Sequence, residues 1–292
     1  MNTYNLSKLA LSPIFLELLK QEGISFDAIL TDNTKLAQET GLTLIDQELE
    51  HFFRKYQKKS GLLILDQLGI NDLLPYAQSS FKQVIIISAR SGIASLGKKL
   101  QPENDYLSNS KNFKVFFPRD GETFFQALKN QGNTIIPLTN QEVSENIYST
   151  PYNEENEELQ IIDKILIDQK ECLTLVNPEQ AELSLIGIGN HFEELVKLSQ
   201  ILAENSARIS LYCIQEWNYL LSEEMKKKLQ STKKIGIILD HEASQSLEQI
   251  IRSLGKECFL LTPEYLKIKS IFPEYQNEEA NFDFKSLWSK IS

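Results

Sequence analysis

The sequence is poor in sulfur, in imidazole and in positive charge. Its three cysteines, Cys172, Cys213 and Cys258, are far apart, odd in number and free of any C-x-x-C pair. That excludes a disulfide framework and a thiolate zinc site, and fits buried free thiols in a reducing cytoplasm. The three histidines, His51, His191 and His241, are equally scattered, with no metal-ligand spacing between them. Thirty basic residues face 40 acidic ones, a net charge of −10. A general nucleic-acid binder needs the opposite balance, because phosphate neutralisation supplies most of its affinity. The densest basic run, Lys226-Lys227-Lys228, follows Glu223-Glu224 and reads as a solvated helix face. No apolar run approaches the ~18–20 residues of a membrane helix, and Met1 to Ala10 lacks the pattern of a signal peptide. Also absent are a G-x-G-x-x-G after the first strand, a G-x-x-x-x-G-K-[ST] and a G-x-S-x-G, which argues against Rossmann, P-loop and serine-hydrolase chemistry. The expectation is a cytoplasmic protein without nucleic-acid or membrane partners.

What is present is a repeating alternation. At 292 residues and 41% hydrophobic, the chain suits about two domains. Short apolar runs occur at Phe26 to Thr31, Leu62 to Leu65, Val84 to Ile87, Phe113 to Phe117 and Thr134 to Ile136. They are continuous rather than alternating, which suits strands covered on both faces of a parallel sheet. Helical spacing appears between them. Leu9 to Leu19 predicts one helix stopped by Gly23. Leu49, Phe52, Phe53 and Tyr56 form a second apolar stripe, and Phe124, Phe125 and Leu128 a third after the cap Asp120.

Residues 140–160 are acidic and apolar-poor, as a linker or a surface excursion would be. The alternation then restarts. Strands are expected at Leu183 to Gly189, Arg208 to Ile214, Ile235 to Leu239 and Phe259 to Leu261, with a helix at Trp217 to Leu229. The resulting fold class is α/β, with two open, mostly parallel sheets each covered by helices. The expected domains are 1–142 and 173–292, joined by an acidic linker at 143–172.

Three places carry candidate chemistry. Gly187-Ile188-Gly189 is a partial glycine turn, and a tight turn is the simpler explanation. Asp46-Gln47-Glu48 precedes an amphipathic helix. A carboxylate there can be an acid held against a cofactor nitrogen or a helix cap, and the cap is the simpler reading. Asp240-His241-Glu242 follows a strand, where open α/β sheets gather ligands, so His241 is a candidate phosphate holder. A polar strand-end turn is its alternative.

The order of these segments resembles a known family. Asn112-Phe113-Lys114-Val115-Phe116-Phe117-Pro118-Arg119-Asp120 resembles the strand, proline and acid of the pyrimidine-binding domain in transketolase-like thiamine diphosphate enzymes. Leu185-Ile186-Gly187-Ile188-Gly189, Ile209 to Cys213, and Ile235 to Leu239 followed by Asp240-His241-Glu242 resemble the transketolase C-terminal domain. In that family the cofactor lies between two chains. One domain holds its diphosphate through Mg²⁺ and a Gly-Asp-Gly…Asn motif, and this sequence has none. The resemblance therefore implies the C-terminal half of a split transketolase, or a beta-type subunit of a 2-oxoacid dehydrogenase. It also implies a companion subunit that carries the diphosphate domain and supplies Mg²⁺, or a homodimer through the family interface.

The family glutamate that holds the aminopyrimidine ring falls in a G-I-A-E-Q segment, matched here by Thr43-Leu44-Ile45-Asp46-Gln47. The resemblance assigns the ring-holding role to Asp46, beside Gln47. Asp is one methylene shorter, and a misplacement of about 1 Å costs on the order of 100-fold in rate. Other family groups are missing. The aromatic under the ring falls in Leu65 to Ile70, where Leu68 takes the cofactor-facing place. The substrate-side histidine loop corresponds to Arg90 to Gly97, leaving Arg90, with His241, as the phosphate candidates. A late substrate arginine is replaced by Leu138-Thr139-Asn140. The implied function is a subunit that completes a thiamine diphosphate site for two-carbon ketol transfer, with catalysis impaired or lost. The alternative is a non-catalytic structural or regulatory subunit of such a complex.

Overall fold

The computed structural model describes residues 3–45, 48–66, 68–89, 112–118, 120–138, 142–144, 161–167, 170–175, 181, 183–188, 209–217, 222–230, 232–238 and 257–261. The chain divides into two units, Met1–Thr150 and Pro151–Ser292.

The first unit runs β1 (Thr3–Asn5), α1 (Leu6–Ala10), α2 (Pro13–Gln21), β2 (Ala28–Thr31), α3 (Thr34–Thr40), β3 (Thr43–Leu44), α4 (Leu49–Arg54) and β4 (Ser60–Leu65). It continues with α5 (Ile70–Ser80), β5 (Gln83–Ser88), β6 (Lys114–Val115), α6 (Gly121–Leu128), β7 (Thr134–Pro137) and β8 (Glu142–Ser144). Six of these strands form one parallel sheet in the order β3-β2-β4-β5-β7-β6. The runs Leu62–Leu65 and Val84–Ile87 are fully buried at its centre, as continuous apolar strands require.

The pleat sends alternate side chains to opposite faces. Leu62, Ile64, Ile85, Ile87 and Ile136 share one core with Phe15 and Leu19 of α2, Leu36 of α3 and Phe124 of α6. Phe15 stacks on Phe124 with centroids 5.7 Å apart. Gly61 points to the other face, against the ring of Phe81, which packs edge-on to Phe53 of α4 at 5.8 Å. The crossovers that carry the described helices α3, α4, α5 and α6 obey one rule. Chain moving towards the β3 edge passes over the α2 face, and chain moving towards the β6 edge passes over the α4 face, as right-handed connections demand.

Local signals set the element ends. Where the sequence predicts one helix over Leu9 to Leu19, the chain makes two. Pro13 has no N–H to donate back into α1 and its ring clashes with the preceding turn, so it opens α2 at its first position instead. Helix α2 ends in two hydrogen bonds, Ile24 N–H to Leu19 O at 2.8 Å and Gly23 N–H to Lys20 O at 3.1 Å, with Gly23 at φ 67°. That conformation favours glycine. Asp120 caps α6 reciprocally: it accepts from the Thr123 N–H at 2.8 Å, and the Thr123 hydroxyl accepts from the Asp120 N–H at 3.0 Å. At the amino end of β4 the exposed Asp27 accepts the Ser60 N–H at 2.7 Å and the Ser60 hydroxyl at 2.9 Å. Those bonds, the backbone one first, hold its carboxyl below the ordinary value of 3.8. Strands β1 and β8 pair antiparallel as a separate ribbon, Thr3 opposite Ser144.

The second unit contains β9 (Ile161–Ile167), β10 (Lys170–Leu175), β11 (Leu183–Ile188), β12 (Ile209–Ile214), α7 (Glu223–Gln230), β13 (Lys234–Ile238) and β14 (Glu257–Leu261). Four strands form a parallel sheet ordered β12-β11-β13-β14. Helix α7 buries Met225 and Leu229, while Lys226 pairs with Glu223 at 2.6 Å and Lys228 with Glu224 at 3.1 Å. The lysine run is thus a solvated, internally paired face. Strands β9 and β10 pair antiparallel, Lys170 opposite Ile167, largely within the stretch 143–172 expected as linker. The acidic composition of the residues before β9 outweighed the apolar run Ile161 to Ile167. No helix among the described residues is long and apolar enough to cross a membrane.

Candidate functional site

In an open parallel sheet, ligands collect beyond the carboxyl ends of the strands where the strand order reverses. In the first unit the chain leaves β2, goes outward to β3 and returns to β4, so the first reversal lies between β2 and β4. Polar residues follow both strands directly: Asp32 and Asn33 after Thr31, and Asp66 after Leu65.

These three side chains form one network. The Asp32 carboxylate accepts the Asp66 N–H on one oxygen and the Leu68 N–H on the other, both at 2.6 Å. The Asn33 amide donates to Asp66 Oδ2 at 2.8 Å. The Asn33 carbonyl oxygen accepts the Leu36 N–H at 2.8 Å and so caps α3. The Thr31 hydroxyl donates to Ile64 O at 2.9 Å and accepts the Asn33 N–H at 3.0 Å. Asp66 is 8% exposed and Thr31 fully buried. Charge-assisted bonds of this length are about twice as strong as neutral ones, so the β4–α5 loop is held rigidly against the end of β2.

The residues singled out from sequence divide as follows. Leu68 is half-buried and sits in this network through its N–H. Asp46 and Gln47 lie outside the described residues. The residue before them, Ile45, is buried and donates its N–H to Thr31 O at 2.8 Å. The residue after them, Glu48, is the N-cap of α4. Arg90 and His241 also lie outside the described residues. They follow Ala89, whose N–H bonds Leu65 O at 2.8 Å, and β13, which flanks the order reversal of the second sheet. Gly187 is a buried residue of β11.

Asp32, Asn33 and Asp66 were missed in the sequence. Their signal is a polar residue immediately after each of two apolar runs, and it gains meaning only once those runs are known to be neighbours. A shallow hollow of about 430 Å³ elsewhere on the unit is lined by Glu48, His51, Arg54 and Tyr76. Its Arg54 is exposed and paired with Glu50 at 2.5 Å, so it offers no convergent buried polar group. No group of three or more His, Cys, Asp or Glu arranged for a metal occurs among the described residues.

No family model and no curated protein matches this sequence. Solved structures do match. Transketolase from Campylobacter jejuni aligns over 89% of this chain and 42% of its own length, at 12% identity and TM-score 0.56. Transketolase from Pichia stipitis, complexed with sedoheptulose-7-phosphate, aligns over the same shares at 11% identity and TM-score 0.53. A split-gene transketolase, an inactive beta4 tetramer, aligns over 88% of this chain and 87% of its own, at 10% identity and TM-score 0.50. The chain has a transketolase-like α/β fold and spans less than half the length of the single-chain enzymes it matches.

Proposed function

We propose that this chain is a transketolase-like subunit which, with a companion chain carrying the diphosphate-binding domain, completes a thiamine diphosphate site for two-carbon ketol transfer, with a rate well below that of an intact site. The observation that supports the reading is the likeness of fold to a split-gene transketolase chain, which aligns over 88% of this chain and 87% of its own.

When bound, thiamine diphosphate supplies the nucleophilic carbon that accepts and passes on a two-carbon unit. On this chain Asp46 would hold the aminopyrimidine nitrogen and tune its proton, with Gln47 beside it. Leu68 would supply an apolar contact in place of an aromatic ring, and Arg90 and His241 would engage the sugar phosphate. The shortened acid at position 46 is the main reason for a low rate.

Calorimetry with thiamine diphosphate and Mg²⁺ tests this, on the chain alone and with the companion that co-purifies. Binding is expected only in the mixture and is lost in Asp46→Ala. Asp46→Glu should raise ketol transfer by about 100-fold. Binding to the chain alone, or a mixture indifferent to Asp46→Ala, rejects the reading. A second reading is a non-catalytic structural or regulatory subunit. It is favoured by the Asp32 carboxylate, which binds the loop's own N–H groups through both oxygens. It predicts that the mixture assembles without taking up cofactor.

A further inference from the structure

We propose that four lysines at the amino end of the first sheet, Lys55, Lys58, Lys59 and Lys82, form a docking surface for an acidic segment of another protein chain. This surface is independent of the β2/β4 crevice, which lies at the opposite, carboxyl ends of the strands.

The fold gathers these residues from two connections. Lys55 is the C-cap of α4, Lys58 and Lys59 lead into β4, and Lys82 leads into β5. The Lys58 N–H bonds Ser80 O at 3.2 Å and the Lys82 N–H bonds Lys59 O at 3.0 Å, so the two connections lie side by side. The ammonium groups of Lys55 and Lys59 stand 5.2 Å and 5.9 Å from the centroid of one ring, Tyr56, and Lys55 also lies 4.1 Å from that of Phe52. All four lysines are exposed. None pairs with a carboxylate among the described residues.

Two features set this group apart from an ordinary solvated lysine face. The lysine run of α7 neutralises itself, Lys226 on Glu223 and Lys228 on Glu224. Here the nearby Asp27 engages the Ser60 N–H and hydroxyl, the bonds that lower its pKa most, and feels Lys59 and Lys82 through space. Lys58 also holds φ 65°, a left-handed conformation that favours glycine or asparagine. A lysine kept there adds charge to the turn against its backbone preference.

The chemistry of the surface points to carboxylates. In a chain of net charge −10, a local positive field attracts a short anionic segment, while the molecule as a whole repels a long polyanion. Lysine offers point charges that suit single carboxylates. Arg54, whose planar fork suits phosphate, is already paired with Glu50. The rings of Phe52 and Tyr56 are buried beneath Lys55, which closes them to stacking by bases. An acidic peptide therefore fits better than a nucleic acid.

The test uses the full-length chain in the assembly in which it purifies, with a fluorescein-labelled oligoglutamate peptide as the probe and anisotropy as the readout. Binding is expected at about 0.05 M salt and should fade by about 0.3 M as screening shortens the field. The fourfold variant Lys55→Gln, Lys58→Gln, Lys59→Gln and Lys82→Gln should raise the Kd by about tenfold or more, because four modest surface pairs are lost together. Arginine at the same four positions should keep the Kd within about threefold of wild type. The control Lys226→Gln, Lys227→Gln and Lys228→Gln on α7 should leave it within about twofold. Lys82→Glu alone reverses one exposed charge without touching the turn, and should raise the Kd by about threefold even if the fourfold variant folds poorly. Absence of salt-sensitive binding by the wild type overturns the proposal, as does a fourfold variant that folds and binds like wild type, or an equal loss in the α7 control. Tighter binding of an oligothymidylate of equal charge, or of anionic vesicles, overturns the choice of a protein partner.

Discussion

Gly61 sits in the middle of the β4 contact with the α4 face, and replacing it with alanine should destabilise the first unit measurably. A Cβ built there would lie 2.6 Å from Phe81 Cδ1 and 2.9 Å from Cζ, with Cε1 in contact as well. Real Cβ atoms do not approach a ring so closely, so Phe81 must move. It has little room: Phe81 is 7% exposed, stacks on Tyr56 at 5.7 Å and 15°, and meets Phe53 edge-on at 5.8 Å. Overpacking of this kind costs about 1–3 kcal/mol, and each disturbed ring pair is worth up to about 1.5 kcal/mol. Alanine returns only about 0.4–1 kcal/mol by stiffening the unfolded chain. The net loss is about 2 kcal/mol, a fall in melting temperature of roughly 4–8 °C for a unit of this size. Urea unfolding followed by circular dichroism should show a lower midpoint at unchanged slope. Phe81→Leu shortens the obstructing ring, so the double variant should lose less than the two single losses combined, by about 1 kcal/mol. A Gly61→Ala variant as stable as wild type, or a pair that adds without coupling, would refute the steric argument.

Two further outcomes follow from the local bonds. Asp120→Ala removes one arm of the reciprocal cap on α6 and leaves the Thr123 N–H unsatisfied in a buried position. It should cost about 1–2 kcal/mol in thermal or urea unfolding, while Asp120→Asn or Asp120→Ser recovers most of that. Asp27 gains its stabilising bonds as a carboxylate, so its folded pKa lies below the unfolded value of 3.8. Its contribution is complete above that value and fades as pH falls through the lower, folded one. The stability difference between wild type and Asp27→Asn should therefore be constant near neutral pH and shrink in acid, as unfolding titrations at pH 7 and pH 3 would record.

The central strands were legible because their physics is local. A buried parallel strand must be apolar on both faces, and Leu62 to Leu65 and Val84 to Ile87 announce that without reference to any neighbour. The α1–α2 break was not read, because the apolar spacing on either side of Pro13 predicts one helix. Strand β3 was not legible as a strand, being two exposed residues, Thr43 and Leu44, held by pairing with β2. The crevice was hidden for a different reason. Asp32 and Asp66 stand 34 positions apart, and each is an unremarkable strand-end acid until strand order makes them neighbours. That order is a product of which strands pair, a long-range outcome that no local window contains. The family resemblance pointed to the segment around Asp46 and to the loop bearing Leu68, and passed over the residues that hold that loop.

The β1–β8 ribbon carries a consequence for the timing of synthesis. Tyr4 pairs with Val143, so β1 leaves the ribosome long before the strand it pairs with. At ~5–20 residues per second the wait is roughly 7–28 s. All six strands of the parallel sheet emerge in that interval and can pair without β1. The ribbon is then the final stitch of the unit, and the nascent segment 3–5 remains an open strand edge meanwhile. Crowding or slowed translation would act on that interval first, before any property of the finished protein.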